Sequence, residues 1–199
     1  MGTSASAFWR WVVEHEAELR AVVAEPTGEE PVLEALLEAL HDVDPNLYYL
    51  LGGDDSGHEL IITAEGELKA FPAVQALVAA APVVQGWQFI AFKPPMGCDF
   101  VLRHEAASID ASQTWFLPAT SRTGFGVKLG CPTFSGKHQD DYEFAALELL
   151  DVVLGELVAA RDVKHVEMVP LPASPEKAGF QRLAELPGFL AARGAAQRS

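Results

Sequence analysis

Two pairs of β-rich segments, each joined by turn-forming residues, constrain the fold of this chain more than any other feature. In the first pair, NLYYLLGG and HELIITAE meet across GGDDSG at residues 52–57. In the second, QTWFLPAT and FGVKLG meet across SRTG at residues 121–124. Glycine, aspartate and serine between two strand-like runs favour a tight turn, so each pair predicts an antiparallel hairpin. Strands that come in hairpins favour an antiparallel or mixed sheet over an all-parallel one.

Helical periodicity surrounds these hairpins. Residues 6–23 place apolar side chains on one helical face after Ser6, and a second leucine-rich stripe follows Pro31, so the sequence predicts an N-terminal helical hairpin. A short helix is predicted after Pro72, and a longer one over residues 140–160. The apolar stripe of the longer helix is predicted to contain Phe144, Leu147, Leu150 or Asp151, Val153 or Leu154, and Leu157. Further strands are predicted in GWQFIAFK, CDFVLR and VKHVEMVPL, and the segment from residue 174 predicts one or two terminal helices.

These elements predict an α+β fold. We expect an N-terminal helical hairpin, an antiparallel or mixed sheet built from hairpins, and helices mainly on one face. A length of 199 residues suits one well-buried domain. The sequence therefore predicts a single α+β domain over residues 1–199, with residues 194–199 frayed.

Charge is unevenly distributed along the chain. The formal net charge is −14, and residues 1–70 hold fifteen acids and three bases, net −12, against −2 for residues 71–199. Because nucleic acid needs a concentrated basic face, the balance predicts no nucleic-acid partner. It favours a protein partner or head-to-tail self-association.

The apolar stretches and cysteines indicate the compartment. No stretch reaches the ~20 apolar residues of a membrane-spanning helix, and the first twenty residues lack the pattern of a secretory signal. The only cysteines, Cys98 and Cys131, are too few for a disulfide scaffold. We therefore expect a cytoplasmic protein with no membrane partner and reduced thiols.

The segment VKLGCPTFSGKHQDDYEF, residues 127–144, comes close to a phosphate-binding loop. Such loops have the spacing G-x-x-x-x-G-K-[ST], whereas Gly130 and Gly136 are separated by five residues and Lys137 is followed by His138. Pro132 also has no N–H to give to a phosphate. The sequence therefore predicts no nucleotide here, and no other cofactor.

No complete catalytic or metal constellation is visible in the sequence. If residues 127–144 are catalytic, the residues that would carry the chemistry are Cys131, His138 and Asp140. A His-x-Asp pair needs at least one further ligand to hold a metal, so no metal site is predicted. A cap for the following helix explains Asp140 without chemistry.

Aromatic and basic residues form a separate set of binding candidates. Aromatic rings beside cations suit an anionic ligand or an acidic peptide, although most aromatic residues of a globular protein are core residues. The residues we single out on this ground are Trp87, Arg103, Trp115, Lys128 and Lys137.

Three segments carry a resemblance to a known group of proteins. FWRWVVEHEAEL, ELIITAEG with the following FPAVQALVAAAPVVQGWQFIAFKPP, and ALELLDVVLGE resemble, in order and spacing, a family of small bacterial α+β proteins of uncharacterised function. The similarity spans residues 8–170. These segments are packing positions, turns and caps, so the resemblance implies a shared fold and carries over no activity.

The expected function is therefore binding. We expect a non-enzymatic protein-binding or regulatory module, because the charge asymmetry is strong and no catalytic set is complete. Two alternatives stay open at this point: a hydrolase-like enzyme that uses residues 127–144, and a small-ligand sensor with a pocket between sheet and helices.

Overall fold

The computed structural model describes residues 2–25, 30–54, 57–121 and 124–196. These residues divide into two compact units, one ending at Lys93 and one beginning at Pro94. Helices accompany antiparallel or mixed sheets in both units, so the predicted α+β class is confirmed. The single domain predicted over residues 1–199 stays a prediction.

The first unit is a three-stranded sheet with helices. Its helices are α1 (Gly2–Glu14), α2 (Glu16–Ala24), α3 (Pro31–His41) and α4 (Phe71–Ala79), and its strands are β1 (Tyr48–Asp54), β2 (Gly57–Thr63) and β3 (Trp87–Ala91). The sheet order is β1-β2-β3. The predicted hairpin of β1 and β2 is confirmed, with Leu50 opposite Ile61. Strand β3 runs parallel to β2, and α4 connects the two strands.

Apolar residues at alternate positions of β2 and on the apolar face of α1 contribute to the core of this unit. Leu60 and Ile62 are fully buried on β2, and Phe8 and Trp9 are buried on α1. The indole Nε1 of Trp9 donates a hydrogen bond to the carbonyl of Leu77 at 2.8 Å, which satisfies its polar atom inside the core.

The first helical segment differs from the prediction in two ways. It begins at Gly2, earlier than the predicted cap at Ser6, and it is interrupted at His15. His15 has φ −106° and ψ 14°, outside the helical region, and its Nδ1 lies 2.9 Å from the carbonyl oxygen of Trp11. The turn of the predicted helical hairpin falls on residues 26–29, outside the described residues, so the hairpin stays a prediction.

The second unit contains a two-stranded ribbon and a four-stranded sheet. Its helices are α5 (Gln139–Leu154), α6 (Glu156–Asp162) and α7 (Leu186–Ala196), and its strands are β4 (Val101–His104), β5 (Ala107–Asp110), β6 (Trp115–Ser121), β7 (Gly124–Gly130), β8 (His165–Met168) and β9 (Gln181–Arg182). The ribbon is β4-β5 and the larger sheet has the order β8-β7-β6-β9. Strands β6 and β7 form the second predicted hairpin, which is confirmed.

Helix α5 was predicted correctly as a helix, and its predicted apolar stripe is right at Leu150 and Val153 but wrong at two other positions. Phe144 and Leu147 are 62% and 56% exposed, while Leu149 and Val153 are buried. Two alanines, Ala145 and Ala146, share the buried side of the helix. A face with two small residues lets the helix backbone approach the core closely, so the bulkiest residues did not mark the inner side.

The predicted helix over residues 140–160 is two helices. Gly155 has φ 75° and ψ 150°, which separates α5 from α6. At the end of the chain, α7 runs to Ala196, and residues 197–199 of the predicted frayed end lie outside the described residues. Over the described ranges, no helix has the length and apolar character needed to cross a membrane.

Candidate functional site

Cys131, a candidate nucleophile if residues 127–144 were catalytic, is a core residue of the second unit. It is fully buried, and its Sγ lies 3.3 Å from Oγ1 of Thr133. That hydroxyl donates a hydrogen bond to the carbonyl of Ser108 at 2.6 Å. A reactive cysteine sits in a partly exposed, electropositive environment, so this geometry suits packing.

The charged residues of the 127–144 segment face solvent. His138 adopts the left-handed conformation with φ 53° and is 60% exposed on its side chain. Its Nδ1 lies 3.8 Å from Oδ2 of Asp141, beyond hydrogen-bonding distance. Lys137 and Asp140 are exposed as well. Among the residues with described positions, no group of three or more His, Cys, Asp or Glu side chains could hold a metal ion.

The five predicted ligand-binding residues have separate neighbours. The guanidinium of Arg182 covers the ring of Trp115 at 4.0 Å, and Lys128 pairs with Glu167 at 3.0 Å. Arg103 and Lys137 lie exposed on β4 and in the loop before α5, and Trp87 belongs to the first unit. Only Trp87 lies in a cluster of further polar side chains.

The Trp87 cluster consists of Glu16, Arg20, His58 and Trp87. The indole Nε1 of Trp87 donates a 2.7 Å hydrogen bond to Oε1 of Glu16. Arg20 donates to the same oxygen from Nε at 3.0 Å and also from Nη2. The imidazole of His58 lies 5.1 Å from the Trp87 ring, centroid to centroid. Helix α2 supplies the ion pair at i,i+4 spacing, and β2 and β3 supply the two rings.

Electrostatics in this cluster favour the ionised form of Glu16. The hydrogen bond from Trp87 lowers the pKa of Glu16, and the hydrogen bond and positive charge of Arg20 lower it further. The attraction to His58 acts in the same direction, while burial opposes it. Glu16 therefore holds a fixed negative charge that orients Arg20.

Two depressions adjoin the cluster at the end of the β1–β2 hairpin where Asp54 pairs with Gly57. Both are lined by Gly53, Asp54, Gly57 and His58. The larger, about 570 Å³, is also lined by Arg20, Val23 and Ala24 of α2 and by Gly86. The smaller, about 230 Å³, is also lined by Glu59 and Gln88. Sequence reasoning found Trp87 but missed Glu16, Arg20 and His58. The i,i+4 spacing of Glu16 and Arg20 was a visible signal for the ion pair, whereas their contact with residue 87 had no local signal.

A larger groove lies on the second unit between α6, α7 and the start of β7. It encloses about 960 Å³. We call it the cationic groove, and its lining residues include Phe125, Leu154, Leu190, Arg161, Asp162, Lys164 and Arg193.

The floor of the cationic groove is apolar and its rim is charged. Phe125, Leu154 and Leu190 are almost completely buried. Arg161 is neutralised by its neighbour Asp162, with two contacts of 2.7 Å.

Two other cations at the rim have no carboxylate partner. Lys164 donates to the carbonyl of Ala160 at 3.0 Å, and Arg193 lies over the Phe125 ring at 5.1 Å. Neither forms an ion pair with a residue in the described part of the chain. The groove therefore offers two positive charges beside an apolar surface.

Comparison with known proteins adds no relative. No protein-family model, no curated protein and no solved structure matches this chain. The geometry of the two sites is therefore the basis for the proposed function.

Proposed function

We propose that this chain is a non-enzymatic protein-binding module, and that the cationic groove takes an acidic segment of a partner protein. The observation that carries the proposal is the pair Lys164 and Arg193, which have no carboxylate partner among the described residues and flank an apolar floor. Complementary charge sets orientation and association rate, and buried apolar contacts supply affinity.

The chemistry of the groove specifies the partner segment. Its carboxylates would pair with Lys164 and Arg193, and an apolar side chain between them would pack against Phe125 and Leu190. A segment of alternating acidic and apolar residues has both properties. The buried thiol of Cys131 and the exposed His138 lend no support to the hydrolase alternative.

The test uses a fluorescent peptide of alternating glutamate and leucine, with a lysine–leucine peptide of equal length for comparison. We expect the acidic peptide alone to bind, with an affinity that falls as salt is added, because exposed charges are screened. Lys164→Glu combined with Arg193→Glu should weaken binding by about tenfold or more, measured by fluorescence anisotropy.

The matched control is Lys137→Glu, which reverses an exposed lysine of the same unit outside the groove. Circular dichroism of each variant checks that the fold is kept. Equal binding of both peptides, or an equal loss in the control, contradicts the proposal. Sedimentation velocity of the unmodified protein shows whether a second copy supplies the acidic segment instead of a separate partner.

A further inference from the structure

The Trp87 cluster of the first unit has hydrogen-bonding groups that the protein itself does not use. Oε1 of Glu16 accepts from three N–H groups, but Oε2 accepts from none of the described residues. Nη1 of Arg20 donates to none of them. Nδ1 of His58, a residue only 9% exposed, also has no partner in the described part of the chain. The side chains of Glu16 and Arg20 are 26% and 42% exposed, so water reaches them, whereas Nδ1 of His58 is buried. Buried polar atoms are nearly always paired, so an unpaired one that lines a cavity points to a ligand.

The arrangement of charges around the larger depression limits what could bind there. Arg20 is the one arginine or lysine of its described lining, and Asp54 is the one carboxylate. Glu16 lies beside Arg20, and Glu59 lines the adjoining smaller depression. A simple anion would meet three carboxylates, and a simple cation would meet the positive charge of Arg20. A molecule that carries both charges satisfies both ends.

The walls of the depression add an apolar element. Val23 and Ala24 line it from α2, opposite the glycines of the hairpin end. Gly86 lies under Arg20, and a Cβ at this position would lie 3.6 Å from both terminal guanidinium nitrogens. That is an ordinary contact distance, so Gly86 lies against the guanidinium. The volume of about 570 Å³ lies within the usual range of small-molecule sites.

We propose that this depression binds a small zwitterion of the α-amino acid class. The carboxylate of the ligand would accept from Nη1 of Arg20, its ammonium group would lie towards Asp54, and its side chain would contact Val23 and Ala24. No bond is made or broken in this step. The site lies in a different unit from the cationic groove and does not depend on the protein-binding proposal.

The test is an NMR titration of the unmodified protein with each of the common L-amino acids at millimolar concentration. The indole N–H of Trp87 reports on the site, because it donates to Glu16, and Trp87→Phe assigns its signal. We expect at least one amino acid to shift this signal saturably, while the indole signal of Trp115 in the second unit stays in place.

The best-binding amino acid is then compared with its two half-molecules, the same compound without its amino group and the same compound without its carboxyl group. Each should bind about tenfold more weakly or worse, since each lacks one charge pair. Arg20→Gln should abolish the shift, and Arg10→Gln, which neutralises an exposed arginine of α1, should leave it unchanged. No shift with any amino acid, or half-molecules that bind as well as the parent, would overturn the proposal. These results are independent of peptide binding, so failure of one proposal is distinguishable from failure of the other.

Discussion

At the scale of single residues, Trp87 has a role that its aromatic character did not indicate. The sequence singled it out as an aromatic candidate for binding an anionic ligand or an acidic peptide, and in the structure its N–H donates to a carboxylate of the protein itself. Only 9% of the residue is exposed, so most of the ring serves packing. The polar atom, which any tryptophan has, is the part that organises Glu16 and Arg20.

This hydrogen bond makes a pH-dependent contribution to stability. The lowered pKa of Glu16 in the folded state means that the contribution is fully present above the ordinary glutamate value of about 4.3 and is lost as pH falls through the lowered pKa. Trp87→Phe removes the hydrogen bond that lowers the pKa of Glu16 most, so we expect this pKa to rise towards its ordinary value. A ¹³C titration of the Glu16 carboxyl group measures this.

Urea unfolding near pH 7 and near pH 3 tests the same linkage through stability. Acidification should lower the free energy of unfolding less in Trp87→Phe than in the unmodified protein, because the variant has less of this contribution to lose. Arg10→Gln serves as a control that leaves the hydrogen bond in place. An unchanged Glu16 titration in Trp87→Phe would contradict the assigned cause.

At the scale of elements, helix α5 shows that an apolar residue at helical spacing is not always buried. It has two leucines of identical chemistry in different environments, Leu147 at 56% exposure and Leu149 fully buried. The apolar stripe read from the sequence included the exposed one. Burial, and therefore stability, follows the side of the helix that contains Ala145 and Ala146.

Alanine substitution at these two leucines tests the assignment. Leu149→Ala should lower the free energy of unfolding by about 2–5 kcal/mol, because it removes buried methyl groups and leaves a cavity. Leu147→Ala should change it by about 0.5 kcal/mol or less, as expected for an exposed position. Chemical denaturation of both variants gives the comparison. Equal losses would mean that both leucines are buried in solution.

The difference between local sequence signals and tertiary contacts also explains how much of the fold was predictable. Both hairpins follow from turn residues between β-rich runs, and α4 follows from Pro72 at its start. Strands β5 and β9 were not predicted, because four and two residues carry no usable periodicity and their pairing is set by tertiary contacts. The Trp87 cluster was out of reach for a related reason: its central hydrogen bond joins residues 71 positions apart.

At the scale of the whole molecule, acidic residues outnumber the basic residues that could pair with them. The chain has 28 acidic and 14 basic residues. The ion pairs Lys93–Glu65 and Lys128–Glu167 are partly exposed, and such pairs contribute little to stability. Repulsion between like charges, concentrated in residues 1–70, therefore opposes folding.

Salt should stabilise this protein. At about 0.15 M ionic strength charges separated by more than about 8 Å are largely screened, so we expect the Tm at neutral pH to rise between low and physiological salt. Thermal unfolding in sodium chloride and potassium chloride should give the same rise, since screening does not depend on which of the two cations is present. A falling Tm would show that attractive pairs outweigh the repulsion.

The order of strands in the two sheets has a consequence for synthesis on the ribosome. In the first unit the last strand to emerge, β3, ends at Ala91, so every strand pair of that sheet can form before the second unit has appeared. In the second unit, the central strand β7 cannot pair with β8 until β8 has been translated. Strand β6 cannot pair with β9 until the chain has been translated as far as Arg182. The outer edge of β7 is therefore unpaired while residues 131–164 are translated, and the outer edge of β6 until β9 at residues 181–182 is translated. This interval is where the nascent chain most needs protection from aggregation.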